Sequence, residues 1–426
     1  MLYDIAFLIF SLFYLPTLIF KGKLHADFGE RFARYSEEKR RSLKACEGGI
    51  WIEAVSVGEV AVCRSLIEGL KARFPGKKIV FSTVTKTGNE LARKLYSGDA
   101  VIIYFPLDLS WIARRSVSLI APSLYIMVET EIWPNIIKEL SNRSVPCVLV
   151  NGRISDRSFG RYRLVKPFLS GTLKKIGLFC MQSLPDAGRI KALGAPDVNI
   201  RVTGNMKFDA DVRADTVKAE EAKNKMGLSG GGRLLVAGST HPGEETVILD
   251  VFARLSVEFP DLKLLIAPRH IDRAGDVGRI IARHGFTPIR LSTLGPRQNG
   301  NGGPQVYLLD TIGQLRDIYS IATLVFVGGS LVPHGGQNPI EPAVFGKPVI
   351  FGPHMFNFRE ITRAFVDNDA AMLVKNDEGL LAAIKALLTD PKLCSDMGKN
   401  AAAAIIEKRG VTNRNIEEIC ATLSIR

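Results

Sequence analysis

The chain has 426 residues, 46% of them hydrophobic, which is too long for one core of ordinary size, so two domains of roughly 200 residues each are expected. Its formal charge of +13 gives a basic surface suited to nucleic acid, anionic lipid or an acidic small molecule. There is no long Lys/Arg run and no interleaving of aromatic and basic residues, which sets nucleic acid aside. Cys46, Cys63, Cys147, Cys180, Cys394 and Cys420 show neither CxxC nor metal-ligand spacing, so they read as thiols in a reducing compartment rather than as disulfides or a zinc site.

Residues 5–20, IAFLIFSLFYLPTLIF, are almost wholly apolar and are followed by Lys21, Lys23, Arg31 and Arg34. A secretory signal carries its positive charge ahead of the apolar run, where this chain has Asp4. Positive charge behind the run predicts that the bulk of the protein stays in the cytoplasm. With Pro16 inside it, the segment sits at the short edge of a spanning helix, and a single span and an interfacial anchor are both open.

Beyond this neck, short apolar runs alternate with amphipathic stretches. Strands are predicted at 49–55, 78–84, 101–105, 124–128, 147–151 and 178–181, then at 234–238, 262–268, 306–309, 323–328 and 348–352. This is the alternation of a parallel sheet covered by helices, and it occurs twice, on either side of a polar, glycine-ended stretch between Thr203 and Gly230. The fold class is therefore α/β, with two doubly wound Rossmann-like domains and a cleft between them. Ligands in such folds bind beyond the carboxyl ends of strands.

Taken in chain order, the first strand leads into Ser56-Val57-Gly58-Glu59. S-x-x-E is a capping box in its ordinary reading. A carboxylate on the first turn of a helix also suits a general base. The fourth strand ends in Glu129-Thr130-Glu131, ahead of Trp133 and Pro134. Lys207 falls near the domain boundary, where a cation could offset a phosphate or carboxylate. The second domain opens with Ala237-Gly238-Ser239-Thr240-His241-Pro242-Gly243-Glu244-Glu245, a backbone nest suited to an anion. That stretch is neither a dinucleotide fingerprint nor a P-loop. Pro268 and Arg269 end the next strand, and Ile312-Gly313-Gln314 form a small-residue turn. Asn338-Pro339-Ile340-Glu341 reads as a capped helix start with Asn338 as N-cap and Glu341 at the third position. The glycines before it, Gly328, Gly329, Gly335 and Gly336, would let backbone approach a ligand closely. The two D-x-D tripeptides, at 209–211 and 367–369, read as surface acids, so no metal is expected.

Together FGERF (28–32), SVGE (56–59), TKTGNE (85–90), VETEIWPN (128–135), NGRISDRS (151–158), VTGNMKFD (202–209), GSTHPGEE (238–245), APRH (267–270), FVGGSLVPHGGQNPIEP (326–342) and FGPHMFNF (351–358) resemble the 3-deoxy-D-manno-octulosonic acid (Kdo) transferases that act on lipid A precursors. The resemblance implies a GT-B glycosyltransferase architecture, with two Rossmann-like domains facing across a cleft and an N-terminal membrane anchor helix. It implies an anchor at 1–22, an acceptor domain at 23–202, a connector at 203–230, a CMP-Kdo domain at 231–405 and a C-terminal helix at 406–426 returning to the first domain. The implied activity is inverting, metal-independent transfer of Kdo from CMP-Kdo to a lipid A precursor in lipopolysaccharide synthesis, on the cytoplasmic face of the inner membrane and among its anionic lipids. No cofactor is implied. Glu59 matches the base, Glu129 and Lys207 match transition-state stabilisers, and the CMP contacts fall on Pro268, Arg269, Ile312, Gly313, Gln314, Asn338, Pro339, Ile340 and Glu341. Where the family pattern W-x-H-x-x-S-V-G-E has histidine, this chain has Glu53. Glu30 of FGERF is a second acid that could rival Glu59 as base, although its place beside the membrane neck favours an acceptor or structural role. Another two-domain nucleotide-sugar enzyme, such as a UDP-sugar epimerase or a lipid-linked N-acetylglucosaminyl transferase, and a membrane-bound nucleotide-binding module without turnover are the competing readings.

Overall fold

The computed structural model describes residues 3–5, 7–8, 26–210, 213–295 and 304–424. The chain divides into two compact units, one formed by Met1–Ala210 with Arg409–Arg426 and the other by Asp211–Lys408. The expected anchor lies mostly on residues outside the described set. Among the described residues, no helix is long and apolar enough to cross a membrane.

In the first unit the strands are β1 Ile50–Glu53, β2 Ile79–Thr83, β3 Ala100–Tyr104, β4 Leu124–Val128, β5 Cys147–Gly152, β6 Leu178–Met181 and β7 Ile200–Val202. They form a parallel sheet in the order β3-β2-β1-β4-β5-β6-β7. Because β1, β2, β4, β5 and β6 are buried on both faces, they read as mostly apolar runs rather than alternating ones. The last helix, Val411–Ser424, belongs to this unit. It buries Val411, Ile416 and Ile419 in the same cluster as Val60, Cys63 and Leu66 of the helix Val57–Arg73.

The second unit carries β8 Arg233–Thr240, β9 Leu262–Pro268, β10 Pro288–Arg290, β11 Gln305–Leu308, β12 Leu324–Val327, β13 Val349–Phe351 and β14 Ala371–Leu373. Its order is β10-β11-β9-β8-β12-β13-β14, again all parallel. In both sheets the strands that follow are added on opposite sides of one junction, between β1 and β4 in the first and between β8 and β12 in the second. Loops leaving the carboxyl ends of these central strands diverge at that point and leave a crevice, which is where doubly wound sheets hold their ligands.

All eleven strands expected from apolar runs are present, within two residues at their ends. The three not expected, β7, β10 and β14, are three residues long and lie at sheet edges. An edge strand is half solvated and needs no long apolar run, so it leaves no such signal.

Candidate active site

At the first unit's switch point, β1 ends at Glu53 and the chain turns through Val55 and Ser56 into the helix Val57–Arg73. The turn is tied to the β2 loop, because the Val55 carbonyl accepts the backbone N–H of Thr85 (3.1 Å) and its hydroxyl (3.1 Å). The expected capping box does not form: the Ser56 side chain accepts nothing from the helix. Its hydroxyl instead donates to Glu59 Oε1 (2.7 Å), while Val55 N–H donates to Glu59 Oε2 (2.7 Å). The Glu59 carboxylate is thus buried and fixed by two donors. Burial, and after it the charge of Glu129, lifts its pKa to about 7 against the opposing pull of the two hydrogen bonds.

Glu129 follows β4 directly and has φ 62°, the left-handed region, which costs a non-glycine residue about 1 kcal/mol or more. Its N–H donates to the Val150 carbonyl of β5 (2.9 Å), so the strain is held by the sheet. Next to it, Arg153 N–H donates to Thr130 Oγ1 (2.9 Å). The helix Pro134–Asn142 is started by a residue remote in sequence: buried Asp108 accepts Asn135 N–H (3.1 Å) and Ile136 N–H (2.8 Å). Burial and then Glu129 raise the Glu131 carboxyl as well.

Lys207 lies on the short helical turn Met206–Asp209. A chain of side-chain amides sets that turn. Asn151 Oδ1 accepts Met206 N–H (2.9 Å), Asn205 Oδ1 accepts Lys207 N–H (3.0 Å), and Gln182 bridges Asn205 (3.0 Å) and the Asn151 carbonyl (3.0 Å). Burial lowers the Lys207 pKa, with Glu129 and Glu59 drawing it up and Arg153 pushing it down. Glu59, Glu129 and Lys207, which are far apart in the chain, therefore share one electrostatic neighbourhood.

At the second unit's switch point the organising group is Glu244, on the first turn of the helix Glu244–Glu258. Its buried carboxylate accepts four backbone N–H groups: His241 (2.9 Å), Gly329 (2.7 Å), Ser330 (2.9 Å) and Leu331 (3.0 Å). The nest expected at 237–245 is therefore half of a larger device, in which the amides of the β12 loop already hold an anion supplied by the protein. The glycines of that loop likewise answer to protein neighbours. A Cβ on Gly328 would collide with the Ser239 carbonyl, and one on Gly336, at φ 74°, with the Met355 thioether. Their role in this structure is to let two loops meet, which the sequence does not distinguish from room for a ligand.

His241 is buried beside this loop, stacked on His334 (centroids 4.3 Å apart) and edge-on to His270 (6.1 Å). Burial and then the two histidines lower its pKa to about 4, so its ring is a neutral hydrogen-bonding surface at pH 7. Arg269, after β9, has its N–H bound to the Thr240 carbonyl (3.0 Å) and its side chain exposed. Pro268 is partly exposed; Ile312 (85% exposed), Gly313 (φ 93°) and Gln314 project into solvent.

Asn338 bonds as the cap reading requires, with Oδ1 accepting Ile340 N–H (3.1 Å), although the regular helix begins at Ile340 with Pro339 preceding it. Asn338 Nδ2 also donates to Glu341 Oε1 (3.3 Å). Burial raises the Glu341 carboxyl, with Arg316, Asn338 and Arg269 opposing. Glu341 and Arg269 are thus brought within electrostatic reach of each other on one unit.

Two acids are assigned away from chemistry. Glu30 is buried, paired with Lys39 (2.5 Å) and bound by Tyr104 N–H (2.8 Å), which explains it as a tie between the neck and β3. Asp209, expected as a surface acid, is half-buried and accepts Gly410 N–H (2.7 Å) and Thr412 N–H at the start of the last helix. That correction depends on a partner some two hundred positions away in the chain, beyond any local pattern. Among the described residues, no group of three or more His, Cys, Asp or Glu could hold a metal ion.

The family described as 3-deoxy-D-manno-octulosonic-acid transferase (kdotransferase) matches residues 26–210, and that described as glycosyl transferases group 1 matches residues 297–404. The 3-deoxy-D-manno-octulosonic acid transferase of Haemophilus influenzae is 35% identical over 370 residues, 87% of this chain and 86% of that protein. The chain belongs to the Kdo transferase family. The transferase is also 29% identical to the 3-deoxy-D-manno-octulosonic acid transferase of Chlamydophila psittaci over 92% of its length and 89% of the relative's. Among solved structures, a glycosyltransferase from Rickettsia africae matches with a TM-score of 0.59 at 14% identity, covering 88% of this chain and 99% of that one. At that identity the likeness shows the fold alone. Family and fold together make this Kdo transferase a glycosyltransferase built from two Rossmann-like parallel-sheet units of the GT-B kind.

Proposed function

We propose that the enzyme transfers Kdo from CMP-Kdo to the 6'-hydroxyl of a tetra-acylated lipid A disaccharide precursor, with inversion and with Glu59 as general base. The observation that carries this reading is the Glu59 carboxylate, buried, held by two donors and lifted to about 7. A base with a pKa near the working pH combines adequate ionisation with proton-accepting power. Glu129 acts on it through space, and Lys207 supplies the cation that a departing CMP phosphate or the Kdo carboxylate calls for. On the second unit, Arg269 serves the phosphate and Glu341 accepts from the ribose hydroxyls, flanked by Asn338 and by the turn at Ile312, Gly313 and Gln314.

The enzyme works at the cytoplasmic face of the inner membrane in this reading. The helices Asp156–Leu164 and Lys166–Leu173 support it, because they expose Leu164 (84%), Val165 and Phe168 among Arg157, Arg161, Arg163, Lys166, Lys174 and Lys175. Apolar side chains ringed by cations suit an anionic lipid surface. Tyr3, ahead of the apolar run, stacks on Phe168 (5.6 Å, 13°), so this patch adjoins the residues that lead into that run. The test is incubation with CMP-Kdo and tetra-acylated precursor, with products read by mass. A mass increase of one or more Kdo residues is expected, and an unmodified precursor rejects the reading.

A further inference from the structure

Glu53 closes β1 and is fully buried. Strand alternation puts its side chain on the same face as Trp51, and its register partner on β4 is Met127, two residues beyond Tyr125. That face is aromatic. Trp51 packs on Tyr125 (4.8 Å between centroids) and Phe105 (5.8 Å), and Phe105 packs on Trp133 (4.7 Å).

Within this apolar packing, both Glu53 carboxyl oxygens, the Tyr125 hydroxyl and Trp133 Nε1 are buried with no hydrogen-bond partner. The groups are complementary, since an indole N–H only donates and a carboxyl carbonyl oxygen accepts. They are also neighbours: Trp133 is the donor that favours an ionised Glu53, and a charge on Glu53 is felt by the Tyr125 phenol. An unmet buried polar group costs about 1–3 kcal/mol, so a small adjustment that joins Glu53 to Trp133 is favoured.

The charged groups that act on Glu53 are Glu59 of the following helix and Glu131 of the β4 turn, both negative, and burial is the largest influence of all. A carboxylate in such surroundings takes up a proton rather than remain ionised. Trp133 stands between the Glu129–Glu131 turn and the helix Pro134–Asn142, whereas Glu53 leads into the loop that carries Glu59. A contact between them spans the two segments that hold the carboxylates of the site.

We propose that Glu53 is a positioning residue: its carboxyl joins the end of β1 to Trp133 Nε1 and keeps the Glu59 loop and the Glu129 turn in register. The inference rests on the reading of Glu59 as base. An ionised Glu53 would add another negative charge to that neighbourhood and push Glu59 out of the range useful at neutral pH.

The test compares Glu53→Gln, Glu53→Leu and Trp133→Phe in the full-length enzyme by pH–rate profile, by the split between kcat and KM for CMP-Kdo, and by the indole N–H resonances. The chain has three tryptophans, of which Trp51 donates to Ser82 Oγ (2.8 Å) and Trp111 is exposed, so Trp133→Phe identifies the remaining signal. Glu53→Gln keeps a neutral acceptor and is expected to retain kcat within about threefold, the wild-type acid limb and a slowly exchanging Trp133 N–H. Glu53→Leu and Trp133→Phe are expected to lower kcat about tenfold or more, as displacement of a reacting group does, with KM for CMP-Kdo unchanged; in Glu53→Leu the Trp133 N–H exchanges rapidly. The proposal is overturned if Glu53→Gln moves the acid limb or loses as much kcat as Glu53→Leu, or if Glu53→Leu leaves kcat and the Trp133 signal intact. Should Glu53→Leu fail to fold, Glu53→Gln and Trp133→Phe decide. Full turnover by Glu59→Gln would instead reject the base reading, and the indole signal would still judge the tie.

Discussion

At the first unit's switch point, Glu53, Glu59, Glu129 and Glu131 crowd into one neighbourhood, and burial and mutual repulsion raise three of them. At the second unit's switch point, burial raises Glu244 as well, but its carboxylate takes four backbone N–H groups that oppose the rise. Both acids sit on the first turn of the helix that follows the central strand, Glu59 after β1 and Glu244 after β8. The difference lies in donor count and neighbours. A carboxylate with two donors and an anion beside it is poised to accept a proton, whereas one with four backbone donors holds loops together. Position in a fold does not assign a role; satisfaction of the group does.

Four measurements would break or sharpen that contrast. The largest effect is expected at Glu59: Glu59→Gln should lower kcat by about 10²–10⁴, the scale of a lost general base, while CMP binding measured by calorimetry stays intact. Unchanged turnover would remove the base assignment. Next comes Glu244→Ala, which strands three amides of the β12 loop and one of its own. A loss of about 3 kcal/mol or more in urea unfolding is expected, together with weakened CMP binding; a stability equal to wild type would end the structural reading.

Glu341→Ala follows, with CMP-Kdo affinity expected to fall about tenfold or more, the scale of one to two hydrogen bonds to a charged acceptor, and with little change in the urea midpoint. The reverse pattern would make Glu341 a helix-capping residue only. The smallest effect concerns pH. Glu59 titrates near 7 in the folded chain against an ordinary value of 4.5, so the protonated form is favoured by folding. Its contribution to stability is present below pH 4.5 and lost as pH rises through 7. Turnover should run oppositely, rising through the same window as the base ionises. Glu59→Gln should flatten the stability slope between pH 5 and 8, and an unchanged slope would show that other groups produce it.

Much of the fold was readable from apolar runs, because a parallel sheet covered on both faces writes its central strands as uninterrupted Val/Ile/Leu segments. The edge strands β7, β10 and β14 escaped, being short and half solvated. In the site, Asn338 bonds as its sequence context predicts, whereas the S-x-x-E pattern predicts a capping box that the turn to Thr85 and the Val55 N–H replace with a pinned carboxylate. The glycines of the β12 loop show the limit most clearly. Positive φ and close approach are both legible as glycine, but whether the approaching atom belongs to a ligand or to Ser239 and Met355 is not.

By itself, then, the order of residues determined two parallel-sheet domains, the loops that end their strands, and a family likeness carried by motifs spread along nearly the whole chain. Those are properties of local hydrophobic period and turn chemistry, which a linear string records. Tertiary structure alone decided that Glu59, Glu129 and Lys207 share one field, that Glu244 serves the loop at 329–331, that Asp209 anchors the last helix, and that Glu53 is buried beside Trp133. A pKa or a hydrogen-bond count is set by what stands within a few ångströms in space, and those neighbours come from strands that the sequence separates.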